Sequence, residues 1–483
     1  MKNIKILAIG AALTLGLASC GDSYFNVDLE QNIKTESAYS NAQDVQNGMI
    51  GAFYQLGTYQ FYGRDVVALG DMASDLAIAS SRSGHFLTIY QYNIVDTDGD
   101  LEDIWSSGYS VLDKCTRTIQ GGKAVLDKTE ELKLSEEEEI TVNMAIAECY
   151  ALRALATFTM TNIFGLPYQA GTTNSQLGIA LLVNEPLQPF VNTKRSTVEE
   201  CYAQVLSDIA TAKEYYIDDS VLPGETGFFM NASAIFALEA RVNLYMGKYK
   251  EAQEAAATSL SLLKNGDNYD LPSDDIYSSM WSSIAINDET IFAISKTDDD
   301  NLSANALNTL YGSYYGAPTE ALKALFNITD VRTTLQITFG NTTYAYKWQG
   351  TSTSHAVSNI PVFRKSEMYL IIAECAAQLG NIDEAKDALF YTAKRDAAIE
   401  SVDDLPATKD ELLSFIADER ARELCLEGHR WFDARRTGVK LDVVNGAHHE
   451  FDVAKFVYPI PASEINAGFG IVQNEGWSDN LPQ

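Results

Sequence analysis

Residues 419–436, near the carboxyl end of the chain, read ERARELCLEGHRWFDARR and form its most densely charged stretch. Glu419 and Arg422 lie three residues apart, as do Asp433 and Arg436, and this is the spacing of ion pairs along one helix face. Leucine, tryptophan and phenylalanine side chains are interleaved with the charges and supply apolar contacts. We therefore predict a partly buried ion network that locks the last helices together, rather than a catalytic site.

Two helix pairs upstream of this stretch share a repeat-like signature. Residues 244–252 read LYMGKYKEA, and residues 378–385 read QLGNIDEA. Each combines a helix, a glycine at a tight turn, a large apolar residue and an alanine where the next helix packs closely. This combination is typical of the tetratricopeptide repeat. Because a long irregular segment separates the two copies, we predict a broken helical-repeat scaffold.

The fold class predicted for the chain is mainly α, with tetratricopeptide-repeat-like helix pairs as scaffold, a loop-rich ligand-binding region and few short strands. A long helix is expected over residues 136–164, because Ser135 can cap it and four glutamates follow. A short strand is expected over Thr342–Trp348. The helical scaffold is predicted at about 38–56, 104–264 and 366–440, and the loop-rich insertions at about 57–103 and 265–365.

The amino-terminal residues read as an export signal. Lys2 and Lys5 precede a nearly continuous apolar run, Ile6 to Ala18, which is shorter than the roughly 20 residues that a membrane-spanning helix needs. The run ends in the sequence LASC, residues 17–20, which resembles the lipobox of bacterial lipoproteins, where the cysteine is acylated. We predict a signal peptide over 1–19, lipid attachment at Cys20, a lipidated tether over 20–37 and a single domain over 38–483.

The composition excludes several classes of partner. The chain has 66 acidic and 35 basic residues among 483, a net charge of −31, whereas phosphate backbones and anionic lipids attract Lys and Arg. Its apolar fraction of 46% rules out a disordered acidic tail. Five cysteines remain beyond Cys20, and their odd number and wide spacing argue against a disulfide framework or a zinc site.

No motif in the sequence predicts catalysis, a metal or a cofactor. Residues 96–100 read DTDGD, but the glycine and glutamate that an EF-hand requires at its sixth and twelfth positions are replaced by Leu101 and Ser107, so a solvated turn is favoured. His429 is expected to be a hydrogen-bonded structural histidine. With 66 carboxylates a glycosidase pair stays possible, although nothing in the sequence singles one out.

Aromatic residues of the two irregular segments sit among Gly, Ser, Asn and Thr rather than on periodic helical faces. Sugars present C–H faces that stack on exposed rings, and their hydroxyls bond polar side chains, so such loops suit a sugar ligand. Many of these rings are expected simply to pack the loops onto the scaffold. The binding surface that we predict consists of Asp75, Arg82, Trp281, Tyr311, Tyr314 and Trp348.

Blocks in the same order along the chain resemble the SusD/RagB family, the outer-membrane nutrient-binding lipoproteins of Bacteroidetes. They lie at about 147–167, 195–200, 231–262, 364–385, 419–436 and 459–476. Glu475 is a departure, because the family usually has proline there. The resemblance implies that the charged stretch is a scaffold signature, carried by Glu419, Arg422, Glu423, Glu427, Gly428, His429, Arg430, Trp431, Asp433 and Arg436.

The function that the resemblance implies is non-enzymatic. A protein of this family would capture oligosaccharides at the cell exterior, anchored to the outer membrane by lipid, and deliver them to a SusC-like TonB-dependent transporter. The acidic balance favours a neutral glycan. Two alternatives stay open, namely capture of oligopeptides, because some relatives resemble oligopeptide carriers, and a surface-anchored glycosidase.

Overall fold

The computed structural model describes residues 38–188, 190–263, 277, 279–339 and 342–482. The predicted signal peptide, Cys20 and the tether over 20–37 lie outside the described residues. The described helices are α1 Ala42–Leu56, α2 Asp65–Met72, α3 Leu87–Tyr90, α4 Gly99–Leu126, α5 Thr129–Leu132, α6 Glu136–Phe164, α7 Val198–Tyr215, α8 Ala232–Tyr245, α9 Tyr249–Ser261, α10 Leu307–Leu310, α11 Glu320–Ala324, α12 Lys365–Leu379, α13 Ile382–Ala393, α14 Lys409–Glu423, α15 Arg430–Thr437, α16 Val443–Gly446 and α17 Ala462–Ala467.

Strands are short and pair antiparallel, two by two. They are β1 Ala77–Ile78, β2 Thr290–Ile294, β3 Ala317–Pro318, β4 Gln336–Phe339, β5 Thr342–Ala345, β6 Ile360–Arg364, β7 Leu441–Asp442 and β8 His448–Phe451. The pairs are β1 with β3, β2 with β6, β4 with β5 and β7 with β8. The prediction of a mainly helical fold with few short strands is confirmed.

Helix α6 shows how local sequence sets an element. Ser135 accepts a hydrogen bond from the Glu138 backbone N–H, and the Glu138 carboxylate accepts one from the Ser135 backbone N–H. This capping box satisfies two amides at the positive end of the helix dipole. The helix ends at Phe164, before Gly165. Most of its residues beyond the second turn are buried, because α4 packs against one side and α7 against another.

The two predicted helix pairs form one scaffold. Helix α8 packs on α9, α12 packs on α13, and α9 also packs on α12. The pairs are therefore neighbours in space although the central insertion separates them in sequence. Gly380 ends α12 with a positive φ of 88°, which a residue without Cβ adopts at low cost. None of the helices in the described ranges combines the length and apolar composition needed to cross a membrane.

Three predicted boundaries need correction. Segment 57–103 contains α2 and α3, so it is more helical than predicted. The helix expected from residue 104 begins at Gly99, because the buried Asp98 carboxylate caps it by accepting from the Asp100 and Leu101 amides. A helix is predicted over about 409–427, but α14 ends at Glu423, and the chain then turns through Gly428 at a φ of 82°.

The charged stretch forms a buried ion network. The predicted pairs within one helix are confirmed, with the Arg422 Nε atom 2.8 Å from Glu419 and the Arg436 Nε atom 2.8 Å from Asp433. Other pairs join distant elements: Glu423 accepts from Arg332, Arg364 and Arg395 at 2.9–3.1 Å. Each of these eight side chains is at least 88% buried. The network is more deeply buried and more widely connected than predicted.

Guanidinium groups keep the network's carboxylates ionised. Burial alone would raise the pKa of Glu423, but Arg395, Arg364 and Arg332 hold that pKa well below its usual range. His429 is half-buried and lines a small cavity of about 50 Å³ beside Tyr62. Burial lowers the pKa of its imidazole to about 4. The hydrogen bond expected of this histidine stays a prediction.

Candidate ligand-binding site

A two-residue strand pair joins the early segment to the central insertion. Ala77 of β1 pairs with Pro318 of β3, and Ile78 pairs with Ala317. Because the strands run antiparallel, the loop that follows β1 and the loop that precedes β3 leave the pair at the same end. Both loops carry aromatic and polar side chains, so the pairing brings those side chains together.

Four side chains from these loops form what we call the ring cluster, namely Arg82, His85, Tyr314 and Tyr315. The rings of His85 and Tyr314 are stacked, with centroids 4.4 Å apart and planes 9° from parallel. The Arg82 guanidinium lies 4.3 Å from the centroid of the Tyr315 ring, within the range of a cation–π contact. Arg82 is exposed, and the other three are half-buried. The cluster is therefore open to solvent while its rings are held in place.

Arg64 lies close enough to the ring cluster for its positive charge to favour the neutral form of His85. Its guanidinium donates to Asn305 at 3.1 Å and to Asp65 at 2.6 Å, and it lies 4.8 Å from the Tyr59 ring centroid. Burial lowers the pKa of His85, and the positive charge of Arg64 lowers it further. His85 is therefore neutral at neutral pH and presents an uncharged ring.

Carboxylates of the early segment pin both loops to the scaffold. Asp71 accepts from the Gly428 backbone N–H at 3.0 Å and from the Tyr311 hydroxyl at 3.1 Å. Burial raises the pKa of Asp71 to about 8. Asp75 forms a bidentate ion pair with Arg430, with both N–O distances 2.8 Å. The charged stretch thus fixes the loops from which the ring cluster projects.

Two of the six side chains predicted for the binding surface, Arg82 and Tyr314, meet in the ring cluster. Of the others, Asp75 faces the scaffold, where Arg430 occupies both of its oxygens. The structure brings in His85 and Tyr315 as their partners. His85 lies in the same irregular segment as Arg82, at about 57–103, but its stacking depends on β1–β3 pairing, and Tyr315 has a positive φ of 63°. Neither the strand pairing nor the backbone angle can be predicted from the order of residues alone.

The expectation of exposed rings is wrong for Trp281, Tyr311 and Trp348. They are 6%, 1% and 3% exposed, respectively. Trp348 donates its indole N–H to the Leu426 carbonyl at 2.9 Å, and the Lys347 ammonium lies 4.6 Å from the Trp281 ring centroid. Trp348 thus packs the insertion onto the charged stretch, which supplies the carbonyl of Leu426, whereas Trp281 packs against a cation of the insertion itself.

The chemistry of the ring cluster suits binding. Flat ring faces can stack on an apolar ligand face, while the Arg82 guanidinium and the tyrosine hydroxyls can hydrogen-bond polar groups at its edge. Across the described residues there is no group of three or more His, Cys, Asp or Glu side chains arranged to hold a metal ion. A helical-repeat scaffold that presents rings on pinned loops defines a class of binding protein.

Comparisons with known proteins identify the family. A family model described as "Starch-binding associating with outer membrane" matches residues 26–244, and one described as "SusD family" matches residues 330–477. A putative sugar binding protein from Bacteroides vulgatus, known from a crystal structure, superimposes with a TM-score of 0.80 at 26% identity. The superposition covers 91% of this chain and 99% of that one.

Two relatives extend the likeness. SusD-like protein P38 of Formosa agariphila is 23% identical over 510 aligned residues, covering 92% of this chain and 93% of its own. The starch-binding protein SusD of Bacteroides thetaiotaomicron is 35% identical over 143 residues, which are 27% of this chain and 24% of its own. The chain belongs to the SusD/RagB family.

Proposed function

We propose that this protein is a cell-surface glycan-binding lipoprotein that captures oligosaccharides without cleaving them. The observation that carries the proposal is the ring cluster, where the rings of His85 and Tyr314 are stacked and the Arg82 guanidinium lies over the ring of Tyr315, the next residue along the chain. The names of relatives that mention sugar or starch binding support the same ligand class. The ligand would stack on the rings and bond through its hydroxyls.

The ligand is a neutral glycan under this proposal. His85 is uncharged at neutral pH, and Arg82 is the one cation in the ring cluster, within a chain of net charge −31. A polyanionic glycan would meet long-range repulsion that a single guanidinium does not offset. A neutral glycan meets no such repulsion and gains the stacking contacts.

Anchoring and delivery complete the proposal. Cleavage after residue 19 would leave Cys20 to carry the lipid, and residues 20–37 would tether the domain over 38–483 to the outer membrane, facing the exterior. A SusC-like TonB-dependent transporter would receive the ligand. The lipobox-like sequence and the family description "Starch-binding associating with outer membrane" support this arrangement.

Affinity electrophoresis of the mature lipoprotein against a panel of neutral polysaccharides tests the function. We expect retardation by at least one polysaccharide and no release of reducing ends. Release of reducing ends that disappears when one carboxylate pair is replaced would establish a glycosidase. Binding of oligopeptides with no retardation by any glycan would establish peptide capture instead. Mass spectrometry of the mature protein tests the lipid at Cys20.

A further inference from the structure

A second cavity lies away from the ring cluster, between α12, α14 and α15. It has a volume of about 390 Å³, within the roughly 300–1,000 Å³ of small-molecule sites. Its rim reaches the surface at Ser414 and Val439, which are exposed. None of its lining residues belongs to the ring cluster. We call it the α14 cavity.

One residue that lines this cavity has an unused hydrogen-bond donor. Arg420 lines the α14 cavity and is 3% exposed. Its Nε and Nη2 atoms donate to Asp433 at 2.9 and 3.1 Å, but its buried Nη1 atom has no hydrogen-bond partner in the described part of the chain. A buried donor without a partner costs about 1–3 kcal/mol, so an acceptor that entered the cavity and reached it would recover stability.

Charges around the cavity are balanced, and five of the six are already in ion pairs. Three guanidiniums and three carboxylates line it, from Arg420, Arg430, Arg436, Glu374, Asp418 and Asp433. Arg436 holds Glu374 through two hydrogen bonds, and Arg430 holds Asp75 in the same way. A charged ligand would compete with these pairs. A neutral ligand with hydroxyl groups would not, because hydroxyls can accept from Arg420 and donate to a carboxylate together.

The remaining wall is apolar. Leu413, Ile416 and Val439 line the cavity, and Ala417 and Ala434 leave room between the helices. Aliphatic side chains of this kind suit the C–H face of a sugar ring. We propose that the α14 cavity is a second ligand site, which binds a neutral monosaccharide-sized polyhydroxy compound, either free or as the terminal unit of an oligosaccharide.

Filling the cavity tests the proposal without breaking the ion pairs. Ala417 is half-buried on α14, and Ala417→Phe would place a ring in the cavity. Ala257→Phe makes the same change on the exposed face of α9 and serves as the matched control. Tyr314→Ala removes a ring from the ring cluster and leaves the α14 cavity intact, so the two sites can be told apart.

Ligand-detected NMR titration of the mature lipoprotein would use glucose, galactose, xylose, mannose and N-acetylglucosamine as probes. Oligosaccharides that end in each of these sugars would be titrated in parallel. We expect at least one monosaccharide to bind with millimolar affinity, and Ala417→Phe to weaken it by about tenfold or more. Ala257→Phe and Tyr314→Ala should leave that affinity unchanged. Loss in the Tyr314→Ala variant alone, no monosaccharide binding, or preference for glucuronate or free amino acids would overturn the proposal. Circular dichroism confirms that each variant is folded.

Discussion

At the scale of single residues, Glu423 is where three distant parts of the chain meet. Arg332 and Arg364 come from the insertion, Arg395 follows α13, and all three donate to this one carboxylate. Burying four charges costs solvation energy, which the direct hydrogen bonds offset. Their mutual dependence means that removing one partner leaves the others buried without compensation.

Replacing the carboxylate therefore has a large expected cost. Glu423→Gln should lower the free energy of unfolding by about 3–5 kcal/mol, because uncompensated guanidiniums stay buried. Urea denaturation measures this change in the free energy of unfolding. Glu254→Gln removes an exposed carboxylate that lies 3.7 Å from Lys250, and it should change stability by less than about 1 kcal/mol. Equal effects of the two substitutions would contradict the role given to Glu423.

The buried carboxyl group of Glu148 makes the folded state less stable as pH rises. Its Oε2 atom accepts from the Met230 backbone N–H at 2.7 Å, and burial raises its pKa from 4.5 to about 8. The folded state thus holds a proton that the unfolded state releases, so the wild type loses this contribution as pH rises from 4.5 to 8. Glu148→Gln should therefore gain stability relative to the wild type, by up to about 1.4 kcal/mol for each pH unit in that window.

Urea titrations at several pH values check this prediction. Glu131→Gln, an exposed change on α5, is the control and should show no such trend. A difference between Glu148→Gln and the wild type that stays constant with pH would show that the Glu148 pKa is not raised in the folded state.

At the scale of elements, the turn between α14 and α15 depends on a glycine in close contact with α2. Gly428 has a φ of 82°, and a Cβ atom there would lie 2.8 Å from the Val67 Cα. Gly380, after α12, has a φ of 88° with no atom within 4 Å of its Cβ position. Both glycines have a left-handed backbone, but only at Gly428 would an added Cβ atom collide with a neighbouring helix.

Alanine at the two positions separates the two effects. Gly380→Ala should cost about 1–2 kcal/mol, from the left-handed backbone alone. Gly428→Ala should cost at least about 3 kcal/mol, because α2 must also shift. Thermal and urea unfolding measure both. Because α2 carries Asp71 toward Tyr311, Gly428→Ala should also weaken glycan binding, whereas equal costs would show that the α2 contact is not tight.

Elements with strong local signals could be predicted from the sequence. The Ser135 cap and the acidic first turn located α6, and the glycines after two helices located the repeat-like pairs. The β1–β3 pair could not be predicted, because two residues per strand carry no periodicity. The burial of Trp281 and Trp348 could not be predicted either, because it depends on cations and carbonyls that are distant in sequence. Of the ring cluster, only Arg82 and Tyr314 could therefore be predicted from the sequence.

At the scale of the whole molecule, the ion network sets how the protein responds to acid. The pKa values of Glu367, Glu419, Glu423, Glu427 and Asp433 are all lowered in the folded state. Carboxylates with lowered pKa stabilise the fold above their unfolded pKa, and that stability is lost as pH falls. Unfolding free energy should therefore decline steadily below about pH 4.5.

Urea midpoints measured between neutral and acidic pH test this decline. The Glu423→Gln variant has one such carboxylate fewer, so its stability should fall less steeply than that of the wild type. Parallel acid profiles for the two proteins would show that the buried network does not govern acid unfolding. High salt should change the slope little, because buried pairs are weakly screened.

The ring cluster is proposed to bind a neutral glycan. Calorimetric titration of the protein with neutral oligosaccharides tests this binding, using the wild type, Tyr314→Ala and Tyr54→Ala. Tyr54 is 64% exposed on α1 and serves as the matched control. We predict that Tyr314→Ala weakens binding by roughly three- to tenfold or more, as expected for a lost aromatic contact, while Tyr54→Ala does not. Unchanged affinity in Tyr314→Ala would contradict the claim.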